Sequence, residues 1–596
     1  MSSSLSFLAT TASPFHHHHS RHPQKAARAP THFSPSASGA GTNATNASGH
    51  DNGGDKESIL RLDRRNVLLG TLGGLYGTAA LGCENTAVAS PIEPPDLSKC
   101  HTAHAGEGAE NVQCCPPYKD NSEIVDYKFP SSSTPLRIRK PAHLLDADDL
   151  AKYEEAYRRM RALDPSDPWS LEQQARVHCQ YCDGAYDQVG FNVQLQVHFS
   201  WIFLPWHRYY IHFHEAILGK LIGDDTFALP FWNWDSPDGM TMPSFFVNDK
   251  TSPLYDEKRN PDNLKKVLDY QYSHKNYENP YTDEELKVKN LYQMNKTFRE
   301  SLPLPELFLG DRVRAGEEAS MGKTMGRIEA IHNAIHLFVG MPEAPYRDMG
   351  NFYSSGYDPL FYCHHSNVDR MWHIYRQKRG NKIDFNDSDW LNSSFIFYDE
   401  NKQLVKVKVE DCLNPQKLRY TYQDVELPWA DSSVKKKLKA KAKPRSRVSL
   451  VQVSEFGPDP RPLDSTIRTL VQRPKKSRTK SEKEDEVEVL VIDGIEVPDN
   501  GPVTFEVYVA APYGGDFVGS DLGESAGSFV KLPHFHIRKR EDAQTKKFSL
   551  KLGISSLLED IDAEGSEKVV VSLVPKVGEV TIGGVHIDLI KTDWTA

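Results

Sequence analysis

Apolar and polar positions follow two different periods along this chain. From Leu150 to Leu163, the apolar residues Leu150, Tyr153, Ala156, Tyr157, Met160 and Leu163 recur near helical spacing. Asp164-Pro165 ends that helix, since a residue before proline is steered out of the helical region. Ser170-Leu-Glu-Gln173 has the pattern of a capping box and opens a helix that runs into His178. Between Ile328 and Gly340, His332 and His336 stand four apart, on one face of a helix. Past residue 500 the period becomes two. Val503, Phe505, Val507 and Val509 alternate with Thr504, Glu506 and Tyr508, which predicts a half-buried strand. Val569, Val571 and Leu573 repeat the pattern, as do Val585, Ile587 and Leu589, with hairpin signals at Asp493-Gly494 and Gly583-Gly584. The pattern predicts a mainly α core with irregular loops, followed by a C-terminal antiparallel β-sandwich or jelly roll.

Charge divides the two parts. Lys435 to Arg445 is basic and poor in apolar residues, and Lys475 to Lys480 is followed by an acidic run from Glu482 to Glu486. Such blocks stay solvated and predict a linker over 431–486, with the β domain over 487–596. The net charge of -10 and pI near 6.2 give no electrostatic reason to expect nucleic acid or an anionic membrane as partner. Residues 1–50 contain no Asp or Glu and many Ser and Ala, so 1–63 read as a plastid transit peptide. Arg64-Arg65, a short Gly-rich apolar run and Ala87-Val-Ala89 read as a twin-arginine signal over 64–89. That run is too short and Gly-rich to anchor the chain in a bilayer. Together the two addresses predict the twin-arginine translocation machinery as a partner, delivery to the thylakoid lumen of a chloroplast, and a mature chain that begins near Ser90.

Of eight cysteines, Cys83 leaves with the signal. Cys114 and Cys115 are adjacent and bridge outward to different partners more readily than to each other. With Cys100 and Cys179 they allow three connectivities, and spacing does not choose among them. Cys114, Cys115, Cys179 and Cys182 would also serve as a zinc site.

The histidines change the picture most. His332 and His336 are joined by His364-His365, in Asp358-Pro-Leu-Phe-Tyr-Cys-His-His-Ser-Asn-Val-Asp-Arg-Met-Trp372. A second set comprises His178, His198 and His207, with His212 and His214 beyond. His214 falls on the helical face of His207, so spacing leaves it open as a ligand. Two groups of imidazoles, each on helices and flanked by aromatics, argue for two metal ions. Imidazoles without carboxylate or thiolate suit copper, zinc or iron better than a hard cation.

His178-Cys-x-x-Cys182, Val197-His-Phe-Ser-Trp201, Phe203-Leu-Pro-Trp-His-Arg208 and the run Asp358 to Trp372 resemble the plant polyphenol oxidases of the tyrosinase and catechol oxidase family. The resemblance extends to Cys114-Cys-Pro-Pro117, Asp389-Trp-Leu391 and the Tyr-x-Tyr of Leu418 to Tyr422, which closes the core of such proteins. Val503-Thr-Phe-Glu-Val-Tyr508 matches the family's C-terminal motif only loosely. The resemblance implies a dicopper domain over 90–430 built on a four-helix bundle. It implies a first copper on His178, His198 and His207 and a second on His332, His336 and His365, deciding against His214 and for His365 over His364. It also implies a thioether between Cys182 and His198, disulfides Cys100–Cys115 and Cys114–Cys179, and thiols at Cys363 and Cys412. Two neighbouring coppers can bind O2 as co-substrate, each supplying one electron, and an o-diphenol then leaves as an o-quinone. Neutral imidazoles tolerate both copper oxidation states.

Further roles follow from the same resemblance. Glu329 and Asn333 would hold a water that deprotonates phenols, although Glu329 stands three residues before His332, one fewer than is usual in the family. Phe352 would overhang the second copper and stack on the substrate, or else be a plain core residue. Asp369 and Asn367 are candidates to orient the ligands, with a structural salt bridge of Asp369 to Arg370 or another arginine as the alternative. His534 and His536, two apart on a strand face, read as structural. The β domain is expected to dock over the coppers and keep the enzyme latent until a processing protease cuts between about Ser432 and Glu486. An O2 carrier resembling haemocyanin, or an oxidase restricted to one specialised phenolic, are the rival readings.

Overall fold

The computed structural model describes residues 90–103, 112–117, 123–272, 280–431, 450–498, 501–512, 517–519, 522–534 and 547–592. The two address segments, the basic run Lys435 to Arg445 and His536 lie outside the described residues. Among the described residues no helix is long and apolar enough to cross a membrane.

The core is helical: α1 (Ala147–Arg161), α2 (Leu171–Cys182), α3 (Phe203–Ile222), α4 (Asp283–Ser301), α5 (Pro305–Leu309), α6 (Arg327–Val339) and α7 (Pro359–Lys378). α1 starts where the Asp146 carboxylate caps the Asp149 N–H, and it buries Tyr153, Ala156, Tyr157 and Met160. It stops at Arg161, a turn-half before the apolar pattern does. Ser170 caps α2 by accepting from the Gln173 N–H, but the return half of the box is absent because the Gln173 amide donates to the Pro165 carbonyl instead. α2, α3, α6 and α7 form the bundle that carries the histidines.

The disulfides are Cys100–Cys115, with Cα atoms 5.7 Å apart, and Cys114–Cys179, with Cα atoms 5.6 Å apart. Both spans suit a disulfide. They tie the start of the described chain to α2, one residue from His178. Cys182, Cys363 and Cys412 are buried thiols, so no zinc cluster forms from Cys114, Cys115, Cys179 and Cys182.

The β domain packs a four-stranded antiparallel sheet, ordered Glu524–Lys531, Val503–Ala510, Lys568–Val577, Ile467–Gln472, on a second sheet centred on Glu486–Glu496. Two expectations are corrected here. The 431–486 region is not linker throughout, since Arg461–Pro462, Ile467–Gln472 and the short helix Lys480–Asp485 belong to the β domain. Its charges lie at the surface and pair locally, as Lys476 does with Glu567 and Lys483 with Glu559. Solvated charge marked a face of the domain as well as a connection. The strand Val503–Ala510 is also buried on both faces: Val503, Phe505, Val507 and Val509 are fully buried, and so are Thr504 and Glu506. Glu506 bears this because it accepts from the Tyr508 hydroxyl at 2.8 Å and pairs with Lys576 at 3.1 Å.

The Cys114–Cys179 bridge closes a separation of 65 residues, a constraint worth about 4 kcal/mol in the chain-entropy account. The variant C114A/C179A is expected to melt well below the parent in a calorimetric scan, with copper lost from the His178 side first. An unchanged melting temperature would show that packing alone holds this segment.

Candidate metal centre

Five of the histidines share one device. His178 Nδ1–H donates to the Phe352 carbonyl at 2.7 Å, His207 Nδ1–H to the Phe203 carbonyl at 2.8 Å, and His336 Nδ1–H to the Met349 carbonyl at 2.6 Å. His198 Nδ1–H faces the Gln196 side-chain oxygen at 3.1 Å, and His332 Nδ1–H faces that of Asn333 at 2.9 Å. Each neutral imidazole has one N–H, so this fixes the tautomer and leaves Nε2 with its lone pair. The Nε2 atoms of His178, His198, His207 and His336 are buried with no partner, and His332 Nε2 lies 3.1 Å from His365 Nε2. Burial pushes the imidazole of His178 down to about 3 and that of His336 to about 4. The rings are therefore neutral near neutral pH.

The nitrogens fall into two groups. In each, the ligand atoms lie within 4.8 Å of one another: His178, His198 and His207 with the Cys182 sulfur, and His332, His336, His364 and His365. The groups face each other across α3 and α7, where the rings of His207 and His365 stack at 4.3 Å. His364 stays within the second group, its ring 5.2 Å from those of His332 and His336, with Trp232 and Trp234 behind it at 6.3 and 6.1 Å. A buried acceptor without a partner costs about 1–3 kcal/mol. Several such lone pairs converging on each of two points fit two metal ions, and an all-imidazole donor set fits copper.

His214 is excluded from the first group. Its Nε2 meets the Tyr157 hydroxyl at 2.9 Å, its Nδ1 meets the Gln174 amide oxygen at 3.1 Å, and its ring stacks on Tyr362. His212 is likewise engaged, by Tyr127 and Arg137. His198 comes not from a helix but from the bend before α3, where Phe199 has a φ of 59° and donates its N–H to Glu329 Oε1 at 2.9 Å. Glu329 itself is fully buried, its Oε2 has no partner, and burial pushes its carboxyl up to about 8.

Phe352 departs from expectation. Its ring lies 4.2 Å from His198 and 6.1 Å from His178, so it covers the first group, not the second. The reason is local: its own carbonyl accepts from His178, which draws the loop across α2. Asp369 touches no histidine of either group. It accepts from Arg208 at 2.5 Å, Arg139 at 3.4 Å, and the hydroxyls of Tyr420 at 2.6 Å and Tyr422 at 2.5 Å. Arg370 and Asn367 turn instead to Asp235, each at 2.9 Å. The Tyr-x-Tyr segment thus locks α7 to α3 at Arg208, next to His207.

The β domain covers the centre. Val530 accepts from the Asn333 amide at 2.8 Å, Ala526 from Arg327 at 3.0 Å, and Ser549 from the Thr324 hydroxyl at 2.6 Å. Lys551 pairs with Asp311 at 2.8 Å, and Asp560 with Arg299 at 2.6 Å. Gly527 gives the Arg327 guanidinium room at this contact, since a Cβ there would meet Arg327 Nη1 at 2.0 Å and push that side chain aside. His534 is not on a strand face. It follows the strand end and buries its ring beside Gln196, Asp183 and Phe352. Sequence reading missed Asp183, Gln196 and Arg327 as parts of this region; only their closeness to Cys182, His198 and Glu329 along the chain signalled them. An open cleft of ≈ 700 Å³ lined by Tyr255, Asp256, Lys258, Asp348 and Tyr353 holds none of the histidines, which agrees with a centre under cover.

Comparison with known proteins finds the common central domain of tyrosinase over residues 168–378, the polyphenol oxidase middle domain over 384–435 and the chloroplastic polyphenol oxidase C-terminal domain over 459–589. A chloroplastic polyphenol oxidase of Vitis vinifera is 45% identical over 553 residues, covering 89% of this chain and 88% of that one. One of Malus domestica is 47% identical over 560 residues, covering 90% and 91%. Among solved structures, latent apple tyrosinase superposes with a TM-score of 0.69 at 45% identity, covering 78% of this chain and 100% of that chain. A latent aurone synthase superposes with 0.75 at 36% identity, covering 84% and 100%.

Although burial opposes it, Arg208 and Arg139 hold the Asp369 carboxyl below the ordinary carboxylate range. With its folded value depressed, the stability it contributes is present above the unfolded pKa and lost as pH falls through the folded one. Asp369→Asn should cost about 3 kcal/mol near neutral pH, with the difference from the parent shrinking in acid. Denaturant titrations at several pH values would show this. An equal loss at every pH would mean that the carboxylate charge is not what matters.

Proposed function

Because the chain belongs to the polyphenol oxidases of the tyrosinase family, we propose that it oxidises o-diphenols to o-quinones with O2 at two coppers, and that its β domain keeps it latent. His178, His198 and His207 would hold one copper, and His332, His336 and His365 the other. The observation that carries this assignment is the set of five Nδ1–H groups committed to oxygen acceptors, which aims the Nε2 lone pairs inward. His365 is preferred over His364 because its ring faces the first group. When bound, the coppers supply the redox chemistry: O2 binding, and transfer of the electrons taken from the phenol.

The residues do the rest. Glu329, whose carboxyl burial pushes up to about 8 and whose Oε2 has no partner, would accept a phenol proton in its ionised form. Asn333 orients His332 with its oxygen and gives its amide N–H to Val530. When the β domain leaves, that donor becomes free to hold a water beside Glu329, which would extend the activity to monophenols. Phe352 supplies the aromatic wall at the entrance. Latency follows from Val530 to His534 lying where a phenol must enter.

The curated relatives are named chloroplastic. We place this chain in the plastid too, and in the thylakoid lumen because of the twin-arginine pattern at 64–89. The specialised reading has support from the names of two relatives, aureusidin synthase of Antirrhinum majus and (+)-larreatricin hydroxylase of Larrea tridentata. Oxygen uptake with a panel of mono- and diphenols would separate it from a general oxidase, and reversible O2 binding without quinone release would identify a carrier instead.

The Cys182 thiol sits within reach of the His198 ring in the first group. If the thioether forms, peptide mass spectrometry will find the Cys182 and His198 peptides joined, lighter by one hydrogen pair and stable to reductant. Separate peptides would leave Cys182 a plain thiol or a fourth ligand.

For latency, the mature chain should turn over diphenols slowly, and a tryptic cut within 432–449 should raise the rate at constant copper. K551A/R299A should do the same in part, by about tenfold if the two ion pairs together contribute ~1.4 kcal/mol to docking. An unchanged rate after the cut would make the β domain a folding aid and no lid.

A further inference from the structure

One buried acidic side chain stands beside the centre without belonging to either histidine group, and burial pushes its carboxyl well above the usual carboxylate range. Asp183 follows Cys182 at the end of α2 and is 2% exposed. Its Oδ1 lies 3.4 Å from Nε2 of His534, which the β domain inserts. The same nitrogen is 3.2 Å from the Gln196 amide, and the imidazole stands edge-on to Phe352 at 5.4 Å. Phe352 in turn packs on His198. A ring with a basic nitrogen is therefore held between an aromatic wall and a carboxyl group, just outside the imidazoles. Among the described residues no lysine or arginine forms an ion pair with Asp183, so no fixed cation of the core answers it.

We propose that Asp183 is a specificity-determining residue that receives the cationic tail of a substrate, so that phenols carrying an ammonium group are favoured over those carrying a carboxylate. The inference rests on the oxidase reading above. His534 belongs to the β domain and leaves with it, whereas Asp183, Gln196 and Phe352 stay with the core. A phenol whose hydroxyls point at the imidazoles passes its ring by Phe352 and leaves its para substituent where the His534 ring now stands. An ammonium group there would supply the cation that Asp183 lacks and draw its proton off, offsetting the burial that disfavours the charge. A carboxylate there finds no cation and gives up its water in a buried place, which costs affinity.

The test uses the copper-loaded full-length chain, activated by mild detergent, with three diphenols that differ at the para position: dopamine, 4-methylcatechol and 3,4-dihydroxyphenylacetate. Oxygen uptake should give kcat/KM in the order amine, neutral, carboxylate. Asp183→Asn should lower the amine-to-neutral ratio about tenfold, the factor corresponding to 1.4 kcal/mol, mainly through KM. Inhibition by phenethylamine should weaken to a similar extent, and Asp183→Glu should keep the parental order. A parent chain that prefers the carboxylate, or ratios that Asp183→Asn leaves unmoved, would overturn the inference while the oxidase reading stands. A chain that oxidises none of the three would sink the oxidase reading and the inference with it.

Discussion

Burying six imidazoles side by side requires that they be neutral, and five of the six give their Nδ1–H to an oxygen acceptor, His365 being the exception. That constraint shapes the core of this protein. The acceptors for His178 and His336 are carbonyls of one loop, at Phe352 and Met349, and the acceptor for His207 lies one turn back on its own helix. Gln196 and Asn333 complete the set from positions beside the histidines they serve. The loop from Met341 to Asp358 is therefore not a passive connection: it holds one imidazole of each group and brings Phe352 to the entrance. Removing any of these acceptors would free a tautomer and turn a lone pair away from the metal.

α6 couples the chemistry to its cover. Within thirteen residues it presents Arg327 and Asn333 to the β domain, His332 and His336 to the second histidine group, and Glu329 to the Phe199 N–H. Asn333 serves both sides at once, with its oxygen on His332 and its nitrogen on Val530. Docking of the β domain and the setting of a ligand are thus joined in one amide group. Arg327, buried and lowered to about 10 by that burial, finds its acceptor at Ala526 where Gly527 leaves room. The cover fits the core by shape and by backbone carbonyls as much as by charge.

Much of this was legible in the sequence, and the limits are physical. Helical spacing at His332 and His336, and the apolar stripe of α1, reported local geometry, which periodicity encodes. The alternation at Val503 reported one buried face but not the second, because the burial of Glu506 depends on partners distant in the chain. Charge at 475–486 reported solvent exposure, which a domain surface and a linker share. His214 could not be excluded by spacing, since its exclusion comes from Tyr157 and Gln174 on other helices. The side of the centre covered by Phe352, the partners of Asp369 and the place of His534 are all tertiary facts. The comparisons bear out the polyphenol oxidase family and its copper chemistry; residue roles within the centre stay with the geometry.

Anomalous diffraction at the copper edge, from crystals of the copper-loaded mature chain, tests the central assignment most directly. Two peaks should appear, one among the Nε2 atoms of His178, His198 and His207, the other among those of His332, His336 and His365. A single peak, a signal at the zinc edge alone, or a second peak held by His364 in place of His365 would contradict it.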